Sequence, residues 1–276
     1  MTNNSIKVVF LDVDGTLLSS KLELSMKNLH AIRKAGSAGI NIILASGRPF
    51  VGLSKLTDML SLKSYVITLN GGCIINLDNR EVVFSWDMIV DNISLILTIA
   101  RKNRVSPCVY TSNNWFVEKI DDNISLEIHR SGAKPKVLPF EKIVDPVIKI
   151  LLIGDRYPLR KCEKELLKIK GVSCFYTYPE YLEIIGGNVS KGKARDQLLD
   201  HLKIPLERVL AIGDGVNDIS LLQDVGLSVA MENAHDILKN TAEYITLSND
   251  DDGVAIAIDA LIHNDEESLN LLKRRS

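Results

Sequence analysis

Val8-Val9-Phe10-Leu11-Asp12-Val13-Asp14-Gly15-Thr16 is the stretch on which the reading of this chain turns. Four consecutive apolar residues rich in β-branched types read as a strand buried on both faces, and Gly15 frees the backbone to turn out of the sheet. Asp12 and Asp14 therefore fall at the carboxyl end of a strand, where open α/β sheets place their ligands. Two other readings compete. A plain strand-to-loop turn also favours Asp and Gly. A calcium loop begins D-x-D, but it needs Gly at its sixth position and Glu at its twelfth; counting from Asp12 gives Leu17 and Glu23, so the glycine is missing.

Outward from that strand, the first eighty or so residues alternate strand and helix. Ser25 can cap a helix carrying Leu29, Ile32 and Ala35, with Gly36 and Gly39 at its exit. An apolar run over 40–45 then breaks at Ser46-Gly47-Arg48-Pro49, where Pro49 suits the first turn of a helix whose free N–H groups can meet an anion. A third run over 65–69 ends in Asn70-Gly71-Gly72, primarily a turn signal, so Asn70 is read as structural. Strands over 73–77 and 82–84 form a hairpin about Asp78-Asn79.

From Trp86 to Ile185 the grammar changes. A helix is expected over 87–102, strands over 105–110, 115–118, 148–153, 172–178 and 181–185, and a helix over 159–170. Neighbouring strands with interleaved helices are the α+β pattern, so residues 85–186 read as a second domain inserted into a core made of 1–84 and 187–276. Alternation then resumes. A helix over 190–202 leads to a strand over 209–212 ending in Gly213-Asp214-Gly215-Val216-Asn217-Asp218, followed by a helix to about 223 and a strand over 227–230. A helix over 234–239, a strand over 244–247 and a last helix after Asp252-Gly253 complete the core, with 265–276 as a charged tail that frays or packs as a surface helix. Asp250-Asp251-Asp252 reads as the solvated start of that last helix.

Composition narrows the function. A chain of 276 residues with 46% hydrophobic and 25% charged content has the apolar material for a sizeable core, and a net charge of -2 lacks the basic excess of a nucleic-acid binder. The start, MTNNSIK, lacks the pattern of a secretory signal, and the most lipid-like run, 93–99, is far short of a membrane span. Cys73, Cys108, Cys162 and Cys174 show no C-x-x-C spacing and read as reduced thiols of a cytoplasmic protein.

Three strand ends carry complementary polar groups: Asp12 and Asp14, then Ser46 and Gly47, then Asp214, Asn217 and Asp218. Parallel strands bring such ends to one edge, so residues far apart in sequence can share a cleft. Crowded carboxylates repel one another, and a hard divalent cation relieves them. An all-oxygen set with room for water and phosphate suits Mg²⁺ better than Ca²⁺ or Zn²⁺. A phosphoryl group needs a further positive charge, for which Lys191 and its neighbour Lys193 both compete at a helix start.

Taken together, Asp12-Val13-Asp14-Gly15-Thr16, Ser46-Gly47-Arg48, Lys191-Gly192 and Gly213-Asp214-Gly215-Val216-Asn217-Asp218 resemble the four ordered motifs of the haloacid dehalogenase-like hydrolases. The insert, Asn70-Gly71-Gly72 and Ala230-Met231-Glu232-Asn233-Ala234 are similar to Cof-type phosphatases with a type IIB cap, though Gly72 stands where that family often has alanine and Ser46 where it often has threonine. The resemblance implies a Rossmann-like, doubly wound parallel core with an α+β cap. It implies Asp12 as the nucleophile that forms an aspartyl-phosphate and Asp14 as the acid and base. Mg²⁺ would be held by the Asp12 carboxylate, the Asp14 carbonyl and Asp214. The Val13 and Gly47 amides with Ser46, Lys191 and Asn217 would hold the phosphoryl oxygens, and Asp218 would support the metal or Lys191. The expected partner is a small phosphorylated metabolite such as a sugar phosphate, flavin mononucleotide or pyridoxal phosphate, with no nucleic acid and no membrane. Arg130, Tyr178, Tyr181 and Glu183 are candidate cap contacts. The sequence leaves two alternatives, a phosphomutase of the phosphomannomutase type and a non-catalytic sugar-phosphate-binding module, and does not fix the oligomeric state.

Overall fold

The computed structural model describes residues 6–274; the reading of the first five residues and of the last two lies outside the described residues. The chain opens with β1 (Val8–Leu11), buried at every position, and α1 (Met26–Ser37), capped by the Ser25 hydroxyl, which accepts from the Asn28 N–H at 3.1 Å. β2 (Asn41–Ala45), α2 (Phe50–Leu60), β3 (Tyr65–Thr68) and the hairpin β4 (Cys73–Asn76) with β5 (Val82–Ser85) follow close to their expected positions.

The insert contains α3 (Val90–Asn103), β6 (Ser106–Tyr110), β7 (Trp115–Val117), α4 (Asp122–Ser131), β8 (Lys136–Val137), β9 (Lys149–Ile153), α5 (Arg156–Leu166), β10 (Val172–Tyr178) and β11 (Tyr181–Gly186). α3 starts later than expected because Met88 is held in an extended segment by the Val147 carbonyl at 2.7 Å. α5 starts and ends earlier than expected, giving way to turns before Gly171. α4 escaped the sequence reading: its buried positions are Ile124, Glu127 and Ser131, a helical spacing carried largely by polar residues.

The chain returns through α6 (Lys191–Leu202), β12 (Val209–Gly213), α7 (Ile219–Leu222), β13 (Leu227–Ala230), α8 (Asp236–Lys239), β14 (Tyr244–Ile245), α9 (Gly253–His263), α10 (Glu266–Leu271) and β15 (Lys273–Arg274). The tail therefore differs from the simple surface helix expected: after α10 it pairs antiparallel with β14 and supplies an edge strand, at the polar position where such edges are tolerated.

Among the described residues, one sheet has the order β15-β14-β13-β12-β1-β2-β3-β4-β5, parallel from β14 to β3. β1 is its centre, flanked on both sides by parallel partners, which is why it has no polar face. A second sheet, β10-β11-β9-β6-β7-β8, is antiparallel except between β7 and β8. The fold is thus an α/β core with an inserted α+β cap.

The alternation of side chains across the second sheet determines how it sits. Val109, Ile150, Leu152, Leu182 and Ile184 pack against Ile96, Leu159 and Leu166 of α3 and α5, forming a separate apolar cluster. Cys108, Tyr110, Leu151, Ile153 and Tyr181 face the other way and join the main core. Burial of each such side chain contributes about 1.5–3 kcal/mol, so the cap is seated by the same force that folds the core. All four cysteines are free, as the sequence reading expected.

Candidate active site

Leu11 pairs with Leu44 and with Ile212, so β1, β2 and β12 end side by side and deliver Asp12, Ser46 and Asp214 to one edge. Carboxylate oxygens of Asp12, Asp214 and Asp218 lie within 4.8 Å of one another. Lys191, the first residue of α6 and fully buried in its side chain, donates from Nζ to Asp12 Oδ1 at 2.5 Å and to Asp218 Oδ1 at 2.6 Å. Lys193, the other candidate, instead reaches Asn188 at 3.2 Å on the surface. Asp218 Oδ2 accepts from the N–H groups of Asp214 at 3.1 Å and Gly215 at 2.9 Å, so both of its oxygens are engaged by protein donors. Thr16 donates to Asp214 Oδ1 at 2.7 Å. Gly15 is required twice over, by its φ of +86° and because a Cβ there would lie 2.5 Å from Asp214 Oδ2.

Three carboxylates face a single ammonium, an imbalance of two negative charges when all are ionised. Burial, and then the Asp218 charge, raise the Asp12 carboxyl well above its ordinary value against the pull of Lys191. Burial and Asp218 push Asp214 up to about 6, opposed by the Thr16 hydroxyl. Burial works against the Lys191 charge, but Asp12 and Asp218 outweigh it and its pKa rises. The two raised carboxyls report burial first and the crowding of like charge second, and the atoms they offer a cation are oxygen. The residues present therefore fit a hard divalent cation, with Asp12 and the partly exposed Asp214 as holders and Asp218 behind them.

The other expected residues are placed less uniformly. The Asp14 carboxylate stands apart from that cluster, gripped by Arg48, whose Nε lies 2.8 Å from Oδ2 and whose Nη2 lies 2.5 Å from Oδ1. Val13 is buried, its carbonyl accepting from Leu17 and Leu18. Ser46 is buried with its Oγ accepting from the Arg48 N–H at 3.1 Å. Gly47 and Asn217 line a cleft of about 1000 Å³ together with Asp12, Asp14 and Asp214. Arg130, Tyr178, Tyr181 and Glu183 line the same cleft from the cap, the Arg130 guanidinium lying 4.1 Å from the Tyr178 ring centroid and 4.8 Å from that of Tyr181.

Four residues around this edge were given no part in the site from the sequence: Thr16 and Arg48, quoted in motifs without a task, Asn70, read as structural, and Lys149. Asn70 is buried at a φ of 58° and accepts from the Asn217 side chain at 2.9 Å, so the turn residue is also part of the cleft wall. The one detectable signal for Lys149 was a lysine inside an otherwise apolar strand. Gly72 also finds its reason here: a Cβ would lie 2.3 Å from Cγ2 of Ile148, so a cap side chain fills the space of the alanine methyl.

A family model described as haloacid dehalogenase-like hydrolase matches residues 9–258. The chain belongs to this family. It is 31% identical over 265 residues to 5-amino-6-(5-phospho-D-ribitylamino)uracil phosphatase YcsE of Bacillus subtilis, covering 92% of this chain and 94% of that protein. Among solved structures, a haloacid dehalogenase-like hydrolase from Bacteroides thetaiotaomicron superposes with a TM-score of 0.87 at 33% identity, covering 93% of this chain and 99% of the other. The HAD subclass IIB sugar phosphatase BT4131 superposes with a TM-score of 0.80 at 26% identity, covering 91% and 97%. Among the described residues no helix is long and apolar enough to cross a membrane.

Proposed function

We propose that this phosphatase hydrolyses a small phosphorylated metabolite in the cytoplasm, with Mg²⁺ as its metal and residues 85–186 acting as a cap over a core formed by 1–84 and 187–276. The observation that carries the reading is the cluster of Asp12, Asp214 and Asp218 beside Lys191, with the three carboxylates lining the cleft. Asp12 and Asp214, with the Asp14 carbonyl, would hold the cation, which supplies electrostatic stabilisation of the charge on the transferring phosphoryl group.

Asp12 attacks phosphorus, and the bond from phosphorus to the ester oxygen breaks with its electron pair on that oxygen. Asp14 gives the leaving oxygen a proton. Asp14 then takes a proton from water as the water oxygen attacks the phosphorus of the aspartyl-phosphate, releasing phosphate and restoring the Asp12 carboxylate. Lys191 and Asn217, with Ser46 and the Val13 and Gly47 amides, hold the phosphoryl oxygens, and Asp218 keeps Lys191 in place. The Arg48 grip on Asp14 implies that a substrate must share or displace that guanidinium before Asp14 can reach the leaving oxygen.

For the substrate we favour a phosphorylated cofactor or precursor whose leaving group bears a flat ring. The support is the aromatic pair of Tyr178 and Tyr181, edge to face with Arg130 over both rings, on the cap side of the cleft, together with the ring-bearing phosphoester in the name of the Bacillus subtilis relative. The phosphatase names of the curated relatives do not favour a phosphomutase. Phosphate release is to be measured over 5-amino-6-(5-phospho-D-ribitylamino)uracil, flavin mononucleotide, pyridoxal phosphate and sugar phosphates, with Mg²⁺ and with chelator. Metal-dependent release, fastest from the ring-bearing esters, is expected. Release from none of them, or release indifferent to chelator, would reject the reading.

A further inference from the structure

Lys149 and Glu183 form an ion pair at 2.8 Å on the inward face of the second sheet, with side chains 3% and 7% exposed. They come from adjacent strands, β9 and β11, at diagonal positions of the antiparallel register. Such a pair is not the stable choice for holding two strands together. Removing two charges from water costs several kcal/mol per ion, and an apolar pair of similar volume is often as stable or more so. The packing of the sheet therefore does not explain why charges stand here.

What they touch does. Lys149 Nζ also donates to the carbonyl oxygen of Gly47 at 2.8 Å, crossing from the cap to the loop after β2. Glu183 Oε2 accepts from Asn70 Nδ2 at 3.3 Å, crossing to the loop after β3. Asn70 in turn accepts from Asn217 Nδ2 at 2.9 Å. Two cap residues thus reach two of the residues assigned above to the phosphoryl oxygens: Lys149 holds Gly47 by its carbonyl, leaving the amide free for phosphate, and Glu183 reaches Asn217 through Asn70. The Asn70 amide has its nitrogen given to Glu183 and its oxygen to Asn217, which leaves its rotation no freedom.

We propose that Lys149 and Glu183 are positioning residues for phosphate binding: they fix the Gly47 loop and the Asn70–Asn217 pair, so that the phosphate site is complete only while the cap is seated. This rests on the assignment of the Asp12 edge as a phosphate site. It assigns to two strand-borne residues of the cap a role in gripping phosphate, a task otherwise carried by core residues alone.

The probe is inorganic phosphate, titrated calorimetrically against the full chain in Mg²⁺ buffer. In the paired replacement Lys149→Met with Glu183→Leu, the melting temperature is expected to hold or rise, while phosphate binds about tenfold or more weakly, the scale of a lost hydrogen bond to a charged group. Made on top of Asn217→Ala, the same replacement is expected to weaken phosphate by a smaller factor than in the unaltered background, because the Asn70–Asn217 arm is already broken and only the Gly47 arm is left to lose. Wild-type affinity in the stable paired variant would overturn the proposal, as would equal losses in both backgrounds or no phosphate binding by the unaltered protein. Should the apolar pair fail to fold, Glu183→Gln, which keeps an oxygen for Asn70 but no charge for Lys149, tests the Gly47 arm alone: weaker phosphate binding than in the unaltered protein is expected, and unchanged affinity would overturn the proposal. An unaltered protein that binds phosphate but hydrolyses no ester breaks the proposed function alone. One that does both while the paired variant matches it breaks only this inference.

Discussion

The two sheets of this molecule bury charge in opposite ways. In the large sheet the carboxylates stand at strand ends, where Asp12, Asp214 and Asp218 outnumber Lys191. In the second sheet charge stands on a strand face, where Lys149 and Glu183 match one for one. Nearby Glu127, its carboxyl raised first of all by burial, takes the Tyr110 hydroxyl at 2.7 Å. A balanced pair is complete without a ligand and can only orient its neighbours. An unbalanced cluster is incomplete until something positive arrives, so imbalance marks the side of the cleft to which the proposed chemistry is assigned.

The contrast breaks most visibly at Asp12. Asp12→Asn is expected to lower phosphate release on the order of 10⁴-fold or more while leaving the fold intact; comparable turnover would remove the distinction between reactive edge and orienting face. Lys191→Met strips the cluster of its one ammonium. Loss of about 3–5 kcal/mol in urea unfolding of the metal-free protein is expected near neutral pH, and an unchanged midpoint would mean the carboxylates are not held by that lysine. The junction between the sheets is probed by Gly72→Ala, whose new methyl meets Ile148. A cost of about 1–3 kcal/mol is expected from overpacking, read by the same unfolding curve, and a neutral result would show the cap free to shift away.

The smallest effect is the most diagnostic of imbalance. Because the folded-state pKa of Asp214 is raised from 3.8 to about 6, stability of the metal-free fold is lost as pH rises from 3.8 to about 6, and the penalty is fully present above that. Asp214→Asn should therefore melt above the unaltered protein in chelator near pH 7.5, with the gap closing as pH falls below about 6. The unaltered protein should gain more from added Mg²⁺ than the variant does. A gap that widens on acidification would contradict the charge reading.

The same contrast explains what the sequence made legible. Strand ends announce themselves, because an apolar run that stops at Asp12, Ser46 or Asp214 changes character within one residue, and each of these lies where the alternation of strand and helix put it. Faces do not. Lys149 lies within an apolar run and Asn70 within a turn signal, and their roles depend on contacts across the junction that no local pattern contains. Arg48 stood in a quoted motif without a task, since only its distance to Asp14 reveals one. The helix α4 was hidden for a related reason, as Glu127 and Ser131 on its buried side interrupt the apolar period. The tail strand β15 depends on an edge supplied by β14, which a charged sequence does not advertise.

The proposed mechanism requires a covalent phosphoryl group on Asp12 during turnover. Acid quench of the protein during turnover of a phosphate-labelled ester, followed by peptide mapping, is expected to find the label on the peptide carrying Asp12 and none in the Asp12→Asn variant. Label on another residue, or steady turnover with no label trapped on the protein at any quench time, would contradict it.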